Sequence, residues 1–117
     1  MRNYYYEYNR CECCGRTNRI HVGGESRGWP FTFRGYNAND EDGPGVVIHT
    51  LSEWYDFMNA NPGVLMDEFS KPMDVVEFIK WVGDKRGERG RTNTGLSRGQ
   101  WEWMDPHGFY FVQEKFC

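Results

Sequence analysis

Alternating apolar and polar positions predict a β-strand at the start of the chain. In an extended segment Tyr4, Tyr6 and Tyr8 share one face, and tyrosine is favoured in strands. After a cysteine-rich segment, residues 19–23 and 29–35 have the composition of two short strands with a glycine-containing connection. The pattern predicts a cysteine turn followed by a hairpin, which is the layout of a zinc ribbon.

A capping-box pattern marks the start of the first predicted helix. Thr50 is followed three residues later by Glu53, and these two side chains can bind free N–H groups of the first helical turn. Apolar residues then recur at the spacing of one helical face, namely Leu51, Trp54, Tyr55 and Met58. The sequence predicts a helix that begins after Thr50 and ends at the turn-forming residues 61–63.

A second predicted helix follows residues 64–69, which favour a strand. Ser70 is a suitable N-cap, and Pro72 is tolerated in the first helical turn. Aliphatic residues at helical spacing predict its buried face, namely Val75, Ile79 and Val82. We expect this helix to end near Gly83.

The C-terminal part has the pattern of a hairpin preceded by a loop. Residues 83–99 are rich in glycine and arginine and lack apolar periodicity, which predicts a mobile basic loop. Two alternating segments within residues 100–116 are joined by the turn-forming residues 105–108. With the earlier elements they predict an α+β fold of antiparallel strands and two helices.

The length of the chain, 117 residues, indicates a single domain with one modest core. We divide residues 1–117 into a zinc knuckle with its hairpin, a helix-containing part, the basic loop and the C-terminal hairpin, over about residues 4–35, 46–84, 83–99 and 100–116. Aromatic residues make up 17% of the chain although the mean hydropathy is only -0.81. A few large rings must therefore supply much of the buried apolar area.

Charge is nearly balanced overall and uneven locally. The formal net charge is -3, so no overall field draws the protein to nucleic acid or to an anionic membrane. Two clusters are candidates for binding a partner or an anion: an acidic cluster of Asp40, Glu41 and Asp42, and a basic cluster of Lys85, Arg86, Arg89, Arg91 and Arg98. No apolar segment suits a signal peptide or a membrane span, so we expect a cytoplasmic protein that does not bind a membrane.

The cysteines between the first two predicted strands favour a metal site. Cys11 and Cys14 have the Cys-x2-Cys spacing with which a tight turn delivers two thiolates to one zinc ion. Gly15 allows backbone N–H groups to point at the thiolates, and His21 is the predicted third ligand. Clustered cysteines in a reducing cytoplasm are more often metal ligands or catalytic thiols than disulfides.

The fourth zinc ligand is predicted to be His49, with His107 as the alternate. Cys13 is interpreted as an inward-facing or spare thiol, because adjacent cysteines cannot both easily bind the ion beside Cys11. A catalytic zinc needs an open position and a nearby general base, and neither the His-Glu-x-x-His nor the deaminase pattern occurs. We therefore expect a structural Zn2+. The alternatives are a redox pair and small buried hydrophobic residues.

Four sequence segments and the C-terminal end follow one another in a distinctive order. The segments are YNRCECCGR, IHVGGESRGWPFTF, LSEWYDF and LMDEFS, and the chain closes on EKF and one further residue. Together they resemble a family of small bacteriophage-encoded proteins of unassigned function. The family commonly has Lys-Ser-Ser where this chain has Gly24, Glu25 and Ser26, and it often ends in Phe-Ser where this chain ends in Cys117. The resemblance implies phage origin and action in the host cytoplasm, and it implies no reaction.

These features predict a non-enzymatic interaction protein. A zinc-stapled scaffold would present acidic and aromatic surface to a host bacterial protein, such as a defence component. The alternative is nucleic-acid or nucleotide binding by the basic cluster, with Trp81 or Trp101 as stacking surfaces. A third hypothesis is a metal-dependent nuclease with His21 or His107 as base, although turn chemistry alone explains the residues around His107.

Overall fold

The computed structural model describes residues 2–25, 31–41, 43–89 and 102–113, and for residues 84–89 it describes the backbone only. Seven strands and two helices lie in these ranges. The strands are β1 (Arg2–Tyr8), β2 (Asn18–Glu25), β3 (Thr32–Arg34), β4 (Gly63–Asp67), β5 (Pro72–Met73), β6 (Trp103–Met104) and β7 (Tyr110–Val112). The helices are α1 (Leu51–Ala60) and α2 (Val75–Arg89). The predicted α+β class with two helices is confirmed.

The strands form one sheet in the order β5-β4-β1-β2-β3-β7-β6. Neighbouring strands pair antiparallel, except that β3 and β7 run parallel. The prediction of antiparallel strands is wrong for this pair, because β7 reaches β3 through a long connection and not through a hairpin. The cysteine turn closes the β1–β2 hairpin at the centre of this larger sheet.

A row of aromatic side chains crosses five strands on the face of the sheet that the helices cover. At one level of the sheet, each residue is paired with the residue opposite it on the next strand. From β1 to β6 these residues are Tyr4, Gly23, Phe33, Phe111 and Trp103. The Phe33 and Phe111 rings stack with centres 5.2 Å apart, and Phe111 stacks on Trp103 at 5.6 Å. Each such pair stabilises the fold by about 0.5–1.5 kcal/mol beyond the area it buries.

Gly23 leaves a gap in this row, and Phe31 fills it. A Cβ at residue 23 would overlap the Thr32 carbonyl oxygen and lie 2.6 Å from Cε1 of Phe31. The Phe31 ring centre is 5.5 Å from that of Tyr4 and 4.8 Å from that of Phe33. The missing side chain at residue 23 therefore allows the row to close.

Both helices pack on the face that carries this row. Trp54 of α1 is 1% exposed, and its Nε1 donates to the Arg34 carbonyl at 2.8 Å. The Tyr6 hydroxyl donates to the Asn61 carbonyl at 2.7 Å, which ties β1 to the C-terminal end of α1. Phe78 of α2 is buried in the same core. Buried aromatic rings thus fix the helices through their polar atoms as well as through packing.

The predicted start of α1 is confirmed. The Thr50 hydroxyl accepts the Glu53 N–H at 3.1 Å, and the Glu53 carboxylate accepts the N–H of His49 at 2.9 Å. The glutamate therefore reaches one residue further back than in the usual capping box. Tyr55, predicted on the buried face, is 42% exposed.

The predicted start of α2 is wrong. The Asp67 carboxylate accepts the N–H groups of the residues two and four positions further on, each at 2.9 Å. This closes a turn in which Ser70 has a φ of 63°, and the chain returns as β5, where Pro72 lies on an edge strand. Helix α2 begins only at Val75, after Asp74 accepts a first-turn N–H with its carboxylate.

The predicted end of α2 near Gly83 is also wrong, because the helix continues to Arg89. Gly83 and Gly87 each cost the helix only about 1 kcal/mol relative to alanine, and the lysine, arginine and glutamate residues around them favour helix. Part of the predicted basic loop is therefore helical, and residues 90–101 lie outside the described residues.

Two further local predictions agree with the structure. Residues 64–69 contain most of β4, and β6 and β7 form the C-terminal hairpin. In the described ranges, neither helix has the length and apolar character needed to cross a membrane.

We expect Gly23→Ala to lower the free energy of unfolding by about 1–3 kcal/mol. The new methyl group must displace Phe31 or the backbone of β3, which lie against Gly23 in the row of aromatic side chains. Gly83→Ala is the matched control, since a Cβ there has no atom within 4 Å and stabilises a helix by up to about 1 kcal/mol. Urea denaturation of both variants measures the difference. Equal changes would contradict the role of Gly23.

Tyr4 makes the stability depend on pH in the alkaline range. Burial raises the pKa of Tyr4 from 10.0 to about 12, and the Glu25 carboxylate adds to this rise. Between these values the unfolded chain loses the Tyr4 proton first, so the free energy of unfolding falls as pH rises through the pKa of the folded state. We expect Tyr4→Phe to show a shallower fall over this range in urea denaturation, with stability at neutral pH changed by no more than about 1 kcal/mol. Parallel curves for the two proteins would disprove this assignment.

Candidate functional site

The cysteines lie in the turn that joins β1 to β2. The pairing of β1 with β2 ends at Tyr8 and Asn18. Residues 9–17 connect the two strands and are here named the thiol knuckle. The Cys11 carbonyl accepts the Gly15 N–H at 2.8 Å, and the Cys11 N–H donates to the Arg16 carbonyl at 2.7 Å. Gly15 has a φ of 74°, a conformation that favours glycine. These features give the segment a defined turn geometry.

Cys13 and Cys14 lower the pKa of the Cys11 thiol. The cause is hydrogen bonding to the Cys11 sulfur, first from the backbone N–H and the thiol of Cys14 and then from Cys13. All three cysteines are exposed, so neither the inward-facing interpretation of Cys13 nor the reading of three buried thiols fits the structure. A lower pKa favours the thiolate form, which is the form that binds metal ions.

His21 lies on β2, away from the thiol knuckle. It is opposite Tyr5 and three residues along β2 from Asn18, a distance of about 10 Å in a strand. Its Nε2 is 2.9 Å from Oδ1 of Asn3, and its ring centre is 5.2 Å from that of Tyr5. The antiparallel register sets this position, so the structure does not bring His21 to the cysteines as a third ligand.

The other two histidines lie near α1. Nε2 of His49 is 3.0 Å from Oδ1 of Asn37, and its ring packs edge-on against Trp103 at 5.4 Å. Nε2 of His107 is 3.5 Å from the Ser52 hydroxyl oxygen. Both rings therefore contact side chains outside the thiol knuckle.

The predicted set of four zinc ligands is not assembled. Within the part of the chain that the structure describes, no three His, Cys, Asp or Glu side chains are grouped so that they could hold a metal ion. Within these described residues, His107 does not belong to such a group. Of the predicted ligands, Cys11 and Cys14 lie together on one tight turn, which the hydrogen bond from the Gly15 N–H to the Cys11 carbonyl closes.

The acidic cluster contributes to a turn. One carboxylate oxygen of Asp40 accepts the Asn37 N–H at 2.8 Å, and the backbone carbonyl of Asp40 accepts the Gly43 N–H at 3.2 Å. Glu41 is exposed, and Asp42 lies outside the described residues. Local turn chemistry therefore explains Asp40.

The basic cluster is divided between α2 and the region that follows it. Lys85, Arg86 and Arg89 belong to the C-terminal part of α2, whereas Arg91 and Arg98 lie outside the described residues. The first three have helical spacing and not the loop spacing that the sequence predicts.

An open apolar groove of about 620 Å³, here named the helical groove, was not predicted from the sequence. Residues of α1, α2 and the β6–β7 turn line it, namely Leu51, Ser52, Tyr55, Asp56, Val76, Ile79, His107 and Phe109. Tyr55 and Val76 are 42% and 63% exposed. The sequence signal that could have indicated it is the apolar Tyr55 beside the buried face of α1.

A buried carboxylate fixes one wall of the helical groove. Asp105 is 5% exposed, and its Oδ1 accepts the N–H groups of His107 and Phe109 at 3.0 and 2.9 Å. Its Oδ2 accepts the Leu51 N–H at 2.8 Å. Asp105 therefore joins the β6–β7 turn to the first turn of α1, and the predicted turn role of residues 105–108 is confirmed.

Comparison of the chain with the models of known protein families, with curated proteins and with solved structures gave no match.

We expect Asp105→Ala to lower the free energy of unfolding by about 2–4 kcal/mol, because three N–H groups lose their charged acceptor in a mostly buried site. Asp40→Ala is the control, since it removes one carboxylate contact at a partly buried turn and should cost about 1 kcal/mol or less. Urea denaturation of both variants tests this. A smaller loss for Asp105→Ala than for Asp40→Ala would contradict the anchoring role.

Proposed function

We propose that this chain is a non-enzymatic bacteriophage accessory protein that binds, and thereby inhibits, a bacterial protein in the host cytoplasm through the helical groove. The phage origin and the host compartment rest on the sequence resemblance. The observation that carries the binding proposal is the open apolar groove between α1 and the start of α2.

The shape of the groove suits a helical segment of a protein partner. Two of its walls are helices, and Tyr55 and Val76 leave large apolar surface exposed to solvent. Exposed apolar patches with polar rims mark interaction sites, and an amphipathic helix commonly lays its apolar face into such a groove. Ser52, Asp56 and His107 supply the polar rim.

The charges near the groove favour a basic partner. Helix α1 contains Glu53 and Asp56 and no lysine or arginine. Asp74 and Glu77 lie at the start of α2, beside Val76, and Lys80 follows one turn later, so acidic residues still outnumber basic ones here. A partner helix with apolar anchors flanked by lysine or arginine would therefore be complementary in both polarity and charge.

We also propose that the thiol knuckle binds a structural Zn2+, in keeping with the predicted zinc-ribbon character. Cys11 and Cys14 support this proposal through their spacing and through the hydrogen bonds that favour a Cys11 thiolate. Binding of such an ion to the folded state alone would add to its stability.

The docking proposal is tested with a photo-crosslinking amino acid at residue 55 in the groove or at residue 69 outside it. Phe69 is 74% exposed in the β4–β5 turn, so both positions are accessible. In bacteria that express the protein, we expect residue 55 to capture a discrete protein that survives nuclease treatment, and residue 69 not to capture it.

Affinity measurements with the purified captured protein then provide a quantitative test. Val76→Asp should weaken binding by at least about tenfold, which is about 1.4 kcal/mol, because it places a charged carboxylate against the partner's apolar face. Val64→Asp is the control, since Val64 is 43% exposed on the opposite face of the sheet. Equal effects of the two variants would refute docking in the groove.

Capture that nuclease treatment abolishes would favour the nucleic-acid alternative. Fluorescence anisotropy with single- and double-stranded probes at two salt concentrations would then measure that binding.

A further inference from the structure

The thiol knuckle has the features of one half of a four-thiolate site. The Cys11 carbonyl accepts the Gly15 N–H at 2.8 Å, so Cys11 and Cys14 lie on one tight turn. Two cysteines held on such a turn supply two of the four tetrahedral positions of a zinc ion. The remaining two positions need ligands from elsewhere.

The described residues of the same chain do not supply the other half. Every residue from Asn9 to Arg16 is exposed, at the end of the β1–β2 hairpin. Each of the three histidines contacts another side chain away from the knuckle. Cys13 is adjacent to Cys14 in sequence, and these cysteines do not form a three-residue metal group within the described residues.

The charges on the knuckle are complementary to a shared metal site. Arg10 and Arg16 flank the cysteines, and the Arg10 guanidinium lies beside Gly15. With Glu12 the segment carries one net positive charge. A zinc ion with four thiolates carries two net negative charges, so two knuckles facing each other would neutralise the complex that they form.

We propose that two copies of this chain share one Zn2+ ion, which Cys11 and Cys14 of each copy bind as four thiolates; this rests on the proposed binding of zinc by the knuckle. The arrangement is isologous, because each copy contributes the same two ligands across a two-fold axis. On binding, the four thiols release to solvent the protons that they still hold, so no oxidant or reductant is needed.

The test measures zinc content and molar mass on the same purified full-length protein. Samples are kept in a phosphine reductant so that disulfides cannot form, and they are analysed with zinc and after removal of zinc by a chelator. We expect one zinc per two chains and a dimer in the presence of zinc, and a monomer after chelation. Cys11→Ser and Cys14→Ser should lose both the zinc and the dimer.

Two control variants identify the ligands. Cys13→Ser and Cys117→Ser should retain the zinc-dependent dimer, because neither thiol belongs to the proposed set. Circular dichroism of each variant shows whether a loss of dimer reflects lost ligands or a failure to fold, and a folded Cys14→Ser monomer supports the proposal.

The opposing outcomes separate this proposal from the one on which it rests. One zinc per chain in a monomer would overturn sharing between copies and leave zinc binding by the knuckle in place. Absence of bound zinc would overturn both. A dimer that persists after chelation, or in Cys14→Ser, would show that another surface joins the copies and would also overturn the proposal.

Discussion

The close approach of Phe31 to the backbone at Gly23 is the constraint on which most of the sheet depends. Strands β1, β2, β3, β7 and β6 meet at one level through Tyr4, Gly23, Phe33, Phe111 and Trp103. A side chain at residue 23 would separate the two halves of this row, since Phe31 contacts both Tyr4 and Phe33. A small domain with little aliphatic core can gain specificity from such ring contacts, because aromatic pairs have preferred geometries. The high aromatic content of the sequence is thereby explained.

The sequence predicted the elements whose signals are local. Tyr4 and Tyr6 are buried on the strand face that their alternation indicates, and Thr50 caps α1 as its spacing from Glu53 suggests. Errors arose where two local signals competed or where contacts are distant. At Ser70 the Asp67 carboxylate accepts backbone N–H groups and closes a turn where a helix was predicted to start. The parallel pairing of β3 with β7 joins residues that lie far apart in the chain. No local pattern encodes that pairing.

The candidate sites show the same division between local and distant information. The knuckle around Cys11 and Gly15 follows from a few consecutive residues, so its turn could be predicted. Few residues separate His21 from Cys14 in the sequence, which suggests that the two are close in space. In an antiparallel hairpin, however, a residue lies farther from the turn the farther along the strand it is, and His21 is three residues past the last pair. The helical groove combines parts of α1, α2 and the β6–β7 turn. Sequence reasoning could not predict it, because its walls meet only in the folded chain.

The two proposed binding regions lie at different ends of α1. Tyr8 packs against Phe57, and Tyr6 binds the Asn61 carbonyl, so the knuckle end of the β1–β2 hairpin is near the C-terminal end of α1. The helical groove instead uses Leu51 and Tyr55, in the first half of a helix about 15 Å long. Two copies joined at their knuckles would therefore leave both grooves open. A dimer with two open grooves gains avidity for a partner that is itself oligomeric or carries repeated basic helices, because the second contact is made at high effective concentration.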